Sequence, residues 1–176
     1  MDKNSSVPPY FAELKIQVID DQEFMRSVLS SILRAFSIRH VTEYADAATA
    51  FNELEAFDAN LILTDWQMKP VDGLQLVRRI QTGKDSPNPY VPIVMVTGHN
   101  NVDKVMQARN AGANDFLVKP VSAKSVYLRI RSTMENPQPF VRSKTYFGPD
   151  RRRSELGPPM GFGERRVAKA TKVVAA

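Results

Sequence analysis

Four apolar runs in this chain each end on a polar residue, and that recurrence limits the folds available to it. Lys15-Ile16-Gln17-Val18-Ile19 runs into Asp20-Asp21. Leu61-Ile62-Leu63-Thr64 runs into Asp65, Val91 to Val96 into Thr97, and Asp115-Phe116-Leu117-Val118 into Lys119. Short apolar runs rich in β-branched residues read as strands buried on both faces of a parallel sheet. Between them lie segments with helical spacing. Gln22 to Ala35 carries Phe24, Met25, Val28, Leu29, Ile32 and Leu33 as its apolar set, and Asp46 can cap a helix running to about Phe57 with Ala50, Phe51 and Leu54 inward. Leu74 to Ile80, Asn101 to Ala111 (ended by a left-handed Gly112) and Val121 to Met134 complete the helices. His40 to Tyr44 is a less apolar strand, expected near an edge.

Five strands alternating with five helices predict an α/β fold with a doubly wound parallel sheet and right-handed crossovers. The four polar strand ends then meet on one rim, where open α/β sheets bind ligands.

Charge divides the chain. Through Glu135 there are 15 basic and 16 acidic residues, whereas from Asn136 there are 9 basic and 3 acidic, so the net charge of +5 belongs to the C-terminal segment. That segment also holds five prolines, Pro137, Pro139, Pro149, Pro158 and Pro159, and half of the 8 glycines. The expected organisation is a flexible segment over 1–12, a globular domain over 13–135 and a largely disordered basic tail over 136–176. The absence of cysteine excludes disulfides and cysteine metal sites. No apolar run is long enough to span a bilayer, and the start MDKNSSVPPY lacks a signal-peptide apolar region, so a cytoplasmic location is the default expectation.

The rim residues have a chemistry in common. Asp20 and Asp21 are adjacent carboxylates that repel unless something offsets them, and a hard cation such as Mg²⁺ does so. Asp65 is an ionisable nucleophile able to accept a phosphoryl group. Thr97 offers a hydroxyl to a phosphoryl oxygen, and Lys119 can pair with the carboxylate before transfer and with the phosphoryl oxygens after it. Pro120 makes the bond after Lys119 a candidate for the cis form.

With those motifs in order, the chain resembles the receiver domains of two-component response regulators over Leu14 to Met134, and the stand-alone chemotaxis-type receivers most. Met25-Arg26, Asp65-Trp66-Gln67-Met68, Asp72-Gly73-Leu74 and Gly112 to Pro120 also carry the likeness. The resemblance implies a flavodoxin-like sheet in the order 2-1-3-4-5, with Asp65 as the phospho-acceptor and Asp20, Asp21, Asp65 and the backbone carbonyl of Gln67 holding Mg²⁺. It implies that Thr97 and Phe116 form the switch, and that Gln67 and His99 tune phosphoryl lifetime. It further implies a histidine kinase or phosphotransfer protein as donor and an unknown protein target that reads the fourth helix, fifth strand and fifth helix. Such a switch is not an enzyme, beyond its own phosphorylation and dephosphorylation. Lys69 stands where the family usually has proline, with Pro70 one place late. Dimerisation through the last helices occurs in this family and leaves oligomeric state open here.

The tail interleaves basic and aromatic residues, Phe140 to Tyr146, then Arg151-Arg152-Arg153 and Arg165-Arg166. It could dock an acidic partner, RNA or an anionic membrane, or serve only as a solvated segment. A nucleic-acid-binding regulator acting through this tail is the alternative reading. An aspartyl-nucleophile phosphatase of the haloacid-dehalogenase type fits less well, since the paired acids precede the nucleophile and Gln67 replaces its second aspartate.

Overall fold

The computed structural model describes residues 7–98, 102–142, 146–150 and 171–173. Its main sheet is parallel, in the order β2-β1-β3-β4-β5, with β1 Lys15–Ile19, β2 His40–Tyr44, β3 Leu61–Asp65, β4 Ile93–Thr97 and β5 Asp115–Val118. The expected order is therefore the observed one. Every residue of β3 and β4 is buried, as their unbroken apolar runs require, while β2 lies at an edge and is half-exposed.

Side chains alternate across the sheet with period two. Leu61 and Leu63 join Ile16, Val18, Val94 and Val96 on the face covered by α1 (Glu23–Ala35) and α6 (Ala123–Glu135), whose Leu29, Leu33, Val126 and Ile130 close the layer. Ile62 joins Ile19, Ile93 and Met95 on the other face. There α2 (Ala47–Asn52), α3 (Leu54–Phe57), α4 (Gly73–Thr82) and α5 (Val102–Ala111) supply Phe51, Leu54, Leu76, Val77, Ile80 and Ala108. The Asp46 carboxylate caps α2 by accepting the Thr49 N–H, and Gly112 takes φ 112° at the end of α5. The single helix expected from Asp46 to Phe57 is broken at Glu53, so the fourth and fifth expected helices are α5 and α6.

Three expectations need correction. Phe24, counted with the apolar set of its helix, is 75% exposed. At about 100° per residue it lies roughly 140° around α1 from Leu29 and on the far side from Leu33. The i, i+4 series Phe24, Val28, Ile32 drifts off the buried stripe at its first member.

The N-terminal segment is not wholly flexible. Pro9–Glu13 forms a 3₁₀ helix that buries Phe11 completely, against Tyr127 of α6 with ring centroids 5.7 Å apart. Val7 packs on the same layer. Nor is the tail a solvated coil throughout. Phe140–Arg142 (β6), Phe147–Pro149 (β7) and Thr171–Val173 (β8) form an antiparallel sheet in the order β7-β6-β8. Phe140, Val141 and Phe147 are buried, so this stretch gains the apolar burial that its prolines and charges obscured. The arginines at 151–153 and 165–166 lie outside the described residues.

Truncating Phe11 should cost about 3–5 kcal/mol in urea unfolding, as for a fully buried aromatic ring. Phe24→Ala in the same assay should stay within about 0.5 kcal/mol of the unsubstituted chain.

Candidate functional site

The strand order reverses direction between β1 and β3, which leaves a crevice beyond their carboxyl ends. Asp20 directly follows β1 and Asp65 closes β3, so the two carboxylates flank that crevice. Oxygens of Asp20, Asp21 and Asp65 all lie within 4.8 Å of one another. Asp20 and Asp65 are buried, at 0% and 4% exposure, while Asp21 faces solvent.

Lys119 follows β5 and reaches past the end of β4. Its Nζ lies 2.7 Å from Asp65 Oδ1 and 2.9 Å from Asp20 Oδ2. Its own N–H donates to the Thr97 carbonyl at 2.8 Å, which sets the lysine backbone against the end of β4. The Lys119–Pro120 bond is cis, as expected, and so is Lys69–Pro70, which the sequence reading did not single out. Thr97 ends β4 and is 3% exposed. Asp20, Asp21, Asp65 and Lys119 come together at this rim, and Thr97 ends the neighbouring strand.

Neighbouring backbone completes the cup. Asp65 Oδ2 accepts the Gln67 N–H at 2.8 Å, and Asp20 Oδ1 accepts the Gln22 N–H at 2.9 Å. Trp66 and Met68 are buried on either side of exposed Gln67, which anchors the loop. That loop returns so closely that a Cβ on Gly73 would stand 2.0 Å from the Asp65 carbonyl oxygen, so only glycine fits there. Arg26 escaped the sequence reading as a site residue. It donates from Nη1 to the Asp20 carbonyl at 2.8 Å and pins the backbone under the carboxylate. Its position six residues after Asp20, in the second turn of α1, is the signal that would have found it.

Burial pushes the Asp65 carboxyl above its ordinary range. The hydrogen bond and charge of Lys119 pull it back only in part, and the nearby Asp20 charge adds to the rise. For Lys119 burial acts against the ammonium, but its bonds to Asp65 and Asp20 outweigh that, and its pKa is raised. Three carboxylates facing one ammonium leave net negative charge, and each hydrogen-bonded oxygen keeps a lone pair. This is a hard-oxygen donor set open to solvent at Asp21, and it fits a small divalent cation.

Phe116 is half-buried on β5, packed against the α2–α5 layer, with the Arg129 guanidinium 5.8 Å from its ring centroid. Arg129 also pairs with the Asp115 carboxylate. His99 lies outside the described residues. Lys69 is exposed.

The sequence model of the response regulator receiver domain matches residues 16–131. The chain belongs to this family. The chemotaxis protein CheY of Pseudomonas aeruginosa is 30% identical to it over 122 residues, covering 69% of this chain and 97% of that protein. CheY-3 of Vibrio cholerae is 28% identical over the same length, covering 69% and 92%. Among solved structures, Vibrio cholerae CheY4 superimposes with a TM-score of 0.59 at 23% identity, over 67% of this chain and 96% of that one. The signal receiver domain of the response regulator NarL of Mycobacterium tuberculosis gives 0.61 at 21% identity, over 70% and 97%. The sequence relatives support a receiver of the chemotaxis type, and the solved structures, both under 25% identical, show the shared fold. Among the described residues, no helix is long and apolar enough to cross a membrane.

The raised Asp65 pKa has a stability consequence. A carboxyl that titrates higher in the folded state stabilises below its unfolded value, near 3.9, and loses that contribution as pH rises through the folded value. Asp65→Asn should therefore unfold at higher urea than the parent at pH 7 in chelator, and the difference should disappear by about pH 3.

Proposed function

We propose that this chain is a phosphorylation switch in which Asp65 takes a phosphoryl group from the phosphohistidine of a kinase or phosphotransfer protein. The observation that carries the reading is the Lys119 ammonium shared between Asp65 and Asp20 inside a buried acidic cup. A carboxylate oxygen of Asp65 attacks phosphorus and the P–N bond to the donor imidazole breaks; the imidazole, protonated from solvent on its other ring nitrogen, leaves neutral. Little covalent work falls to the protein, because positioning and charge neutralisation dominate this class of reaction. The Gln67 N–H holds one carboxylate oxygen and leaves the other, now paired with Lys119, toward the incoming group.

After transfer, the Lys119 ammonium exchanges its Asp65 contact for phosphoryl oxygens, and the Thr97 hydroxyl donates to another. Asp20, Asp21, Asp65 and the Gln67 carbonyl would hold Mg²⁺, which neutralises phosphoryl charge during transfer. Movement of Thr97 toward the phosphoryl group vacates space beside β5, into which Phe116 turns. The α5–β5–α6 face, carrying exposed Met106 and Leu128, is the surface a protein target reads. Such a response needs two packings separated by only a few kcal/mol.

Incubation with a small acyl phosphate and Mg²⁺, followed by intact-mass measurement, should show one phosphoryl group per chain. Asp65→Asn should show none, and Lys119→Met should label on the order of 10²-fold more slowly. Multiple turnover of organic phosphate esters would instead make the protein a phosphatase.

A further inference from the structure

The pole opposite the acidic cup carries a built contact with no part in the chemistry above. The chain leaves α6 through Asn136-Pro137-Gln138-Pro139 and crosses beneath the sheet, where Tyr90 precedes β4. Phe140 and Phe147 each meet the Tyr90 ring in a T-shaped pair with centroids 5.2 and 5.5 Å away, and lie 5.7 Å from each other. The Tyr146 hydroxyl donates to the Pro149 carbonyl at 2.8 Å, and the Asp150 N–H donates to Pro139 at 2.7 Å, so the hairpin closes on itself.

Gly148 then meets Gln81, in the last turn of α4. A Cβ on Gly148 would fall 2.6 Å from Gln81 Oε1. The same side chain, 2% exposed, faces Gly112 at the end of α5: its Nε2 donates to the Gly112 carbonyl, and a Cβ on Gly112 would fall 1.7 Å from Oε1. Gln81 is thus gripped between the hairpin on one side and the turn that ends α5 on the other.

That grip matters because α5 has little apolar anchorage of its own. Among its described side chains the buried ones are Ala108 and Ala111, one methyl each, whereas α4 buries Leu74, Leu76, Val77 and Ile80. Elements with few buried apolar contacts are the ones that open first. The family match ends at residue 131, so β6 and β7 lie beyond the residues that the family model covers.

We infer that the surface formed by Gln81 and Tyr90 is a docking site for the chain's own stretches 139–142 and 146–149, and that these stretches are a clamp that, through Gln81, fixes the C-terminal end of α5. The opposite end of α5 follows Thr97. The clamp therefore sets the pivot about which that end can shift, a consequence that rests on the reading of Asp65 as phospho-acceptor. The clamp itself rests on geometry alone.

Amide hydrogen exchange on the full chain, without phosphodonor, separates the two. Phe147→Ala and the milder Phe147→Leu should each speed exchange in α5, the alanine form by about tenfold, while α1 and α6 keep their protection. Phe11→Ala, on the other layer, should give the reverse pattern. Unchanged α5 exchange in Phe147→Leu and in any folded Phe147→Ala would overturn the clamp, as would an equal rise in α1, α5 and α6. A dimer by size exclusion, exchanging the hairpin between copies, would overturn docking within one chain. Failure of Asp65 to take phosphate would leave the exchange result standing.

Discussion

One ammonium holds the functional end of this molecule together. Lys119 comes from the last strand of the sheet, yet its Nζ sits between carboxylates that end the first and third strands. Without it, Asp20 and Asp65 would be two buried like charges, each disfavoured by desolvation and by the other. With it, the cup still carries excess negative charge and stays receptive to a cation and, through the cation and the lysine, to a phosphoryl group. Removing the ammonium would cost more than the set contributes, because it strands two buried carboxylates. The site is therefore tightly interdependent.

The two poles of the sheet differ in character. At the carboxyl ends, charge is concentrated and Asp65 is held against its titration preference. At the amino ends, aromatic packing closes both layers: Phe11 with Tyr127 and Phe36 beneath α1 and α6, and Phe140 with Phe147 and Tyr90 beneath α4 and α5. Firm packing at one pole offsets the electrostatic cost at the other. Close-packed interiors of this kind resist continuous deformation.

Much of this was legible in the chain itself. Strand periodicity gave the order of elements, and the polar strand ends gave Asp20, Asp21, Asp65, Thr97 and Lys119 together, because a parallel sheet must bring its carboxyl ends to one rim. What escaped depends on long-range packing. Arg26 reads as an ordinary helix arginine until the Asp20 carbonyl is placed beneath it. Phe24 follows a helical spacing that points away from the sheet, and spacing alone does not say which stripe is buried. The strands β6 and β7 were hidden by composition: proline, glycine and arginine read as disorder, while Phe140 and Phe147 find their partner, Tyr90, some fifty residues earlier. Phe11 was concealed in the same way by its proline-rich neighbours.

The central claim is that the acidic cup is a cation site coupled to the phospho-acceptor strand. Trp66, the chain's one tryptophan, follows Asp65 directly and is buried beside the cup. Titrating Mg²⁺ while recording its fluorescence tests the claim most directly. A saturable change that chelator reverses, and that Asp21→Asn weakens by at least tenfold in affinity, is the expected result. A response identical in Asp21→Asn, or none at millimolar Mg²⁺ in the folded parent chain, would contradict it.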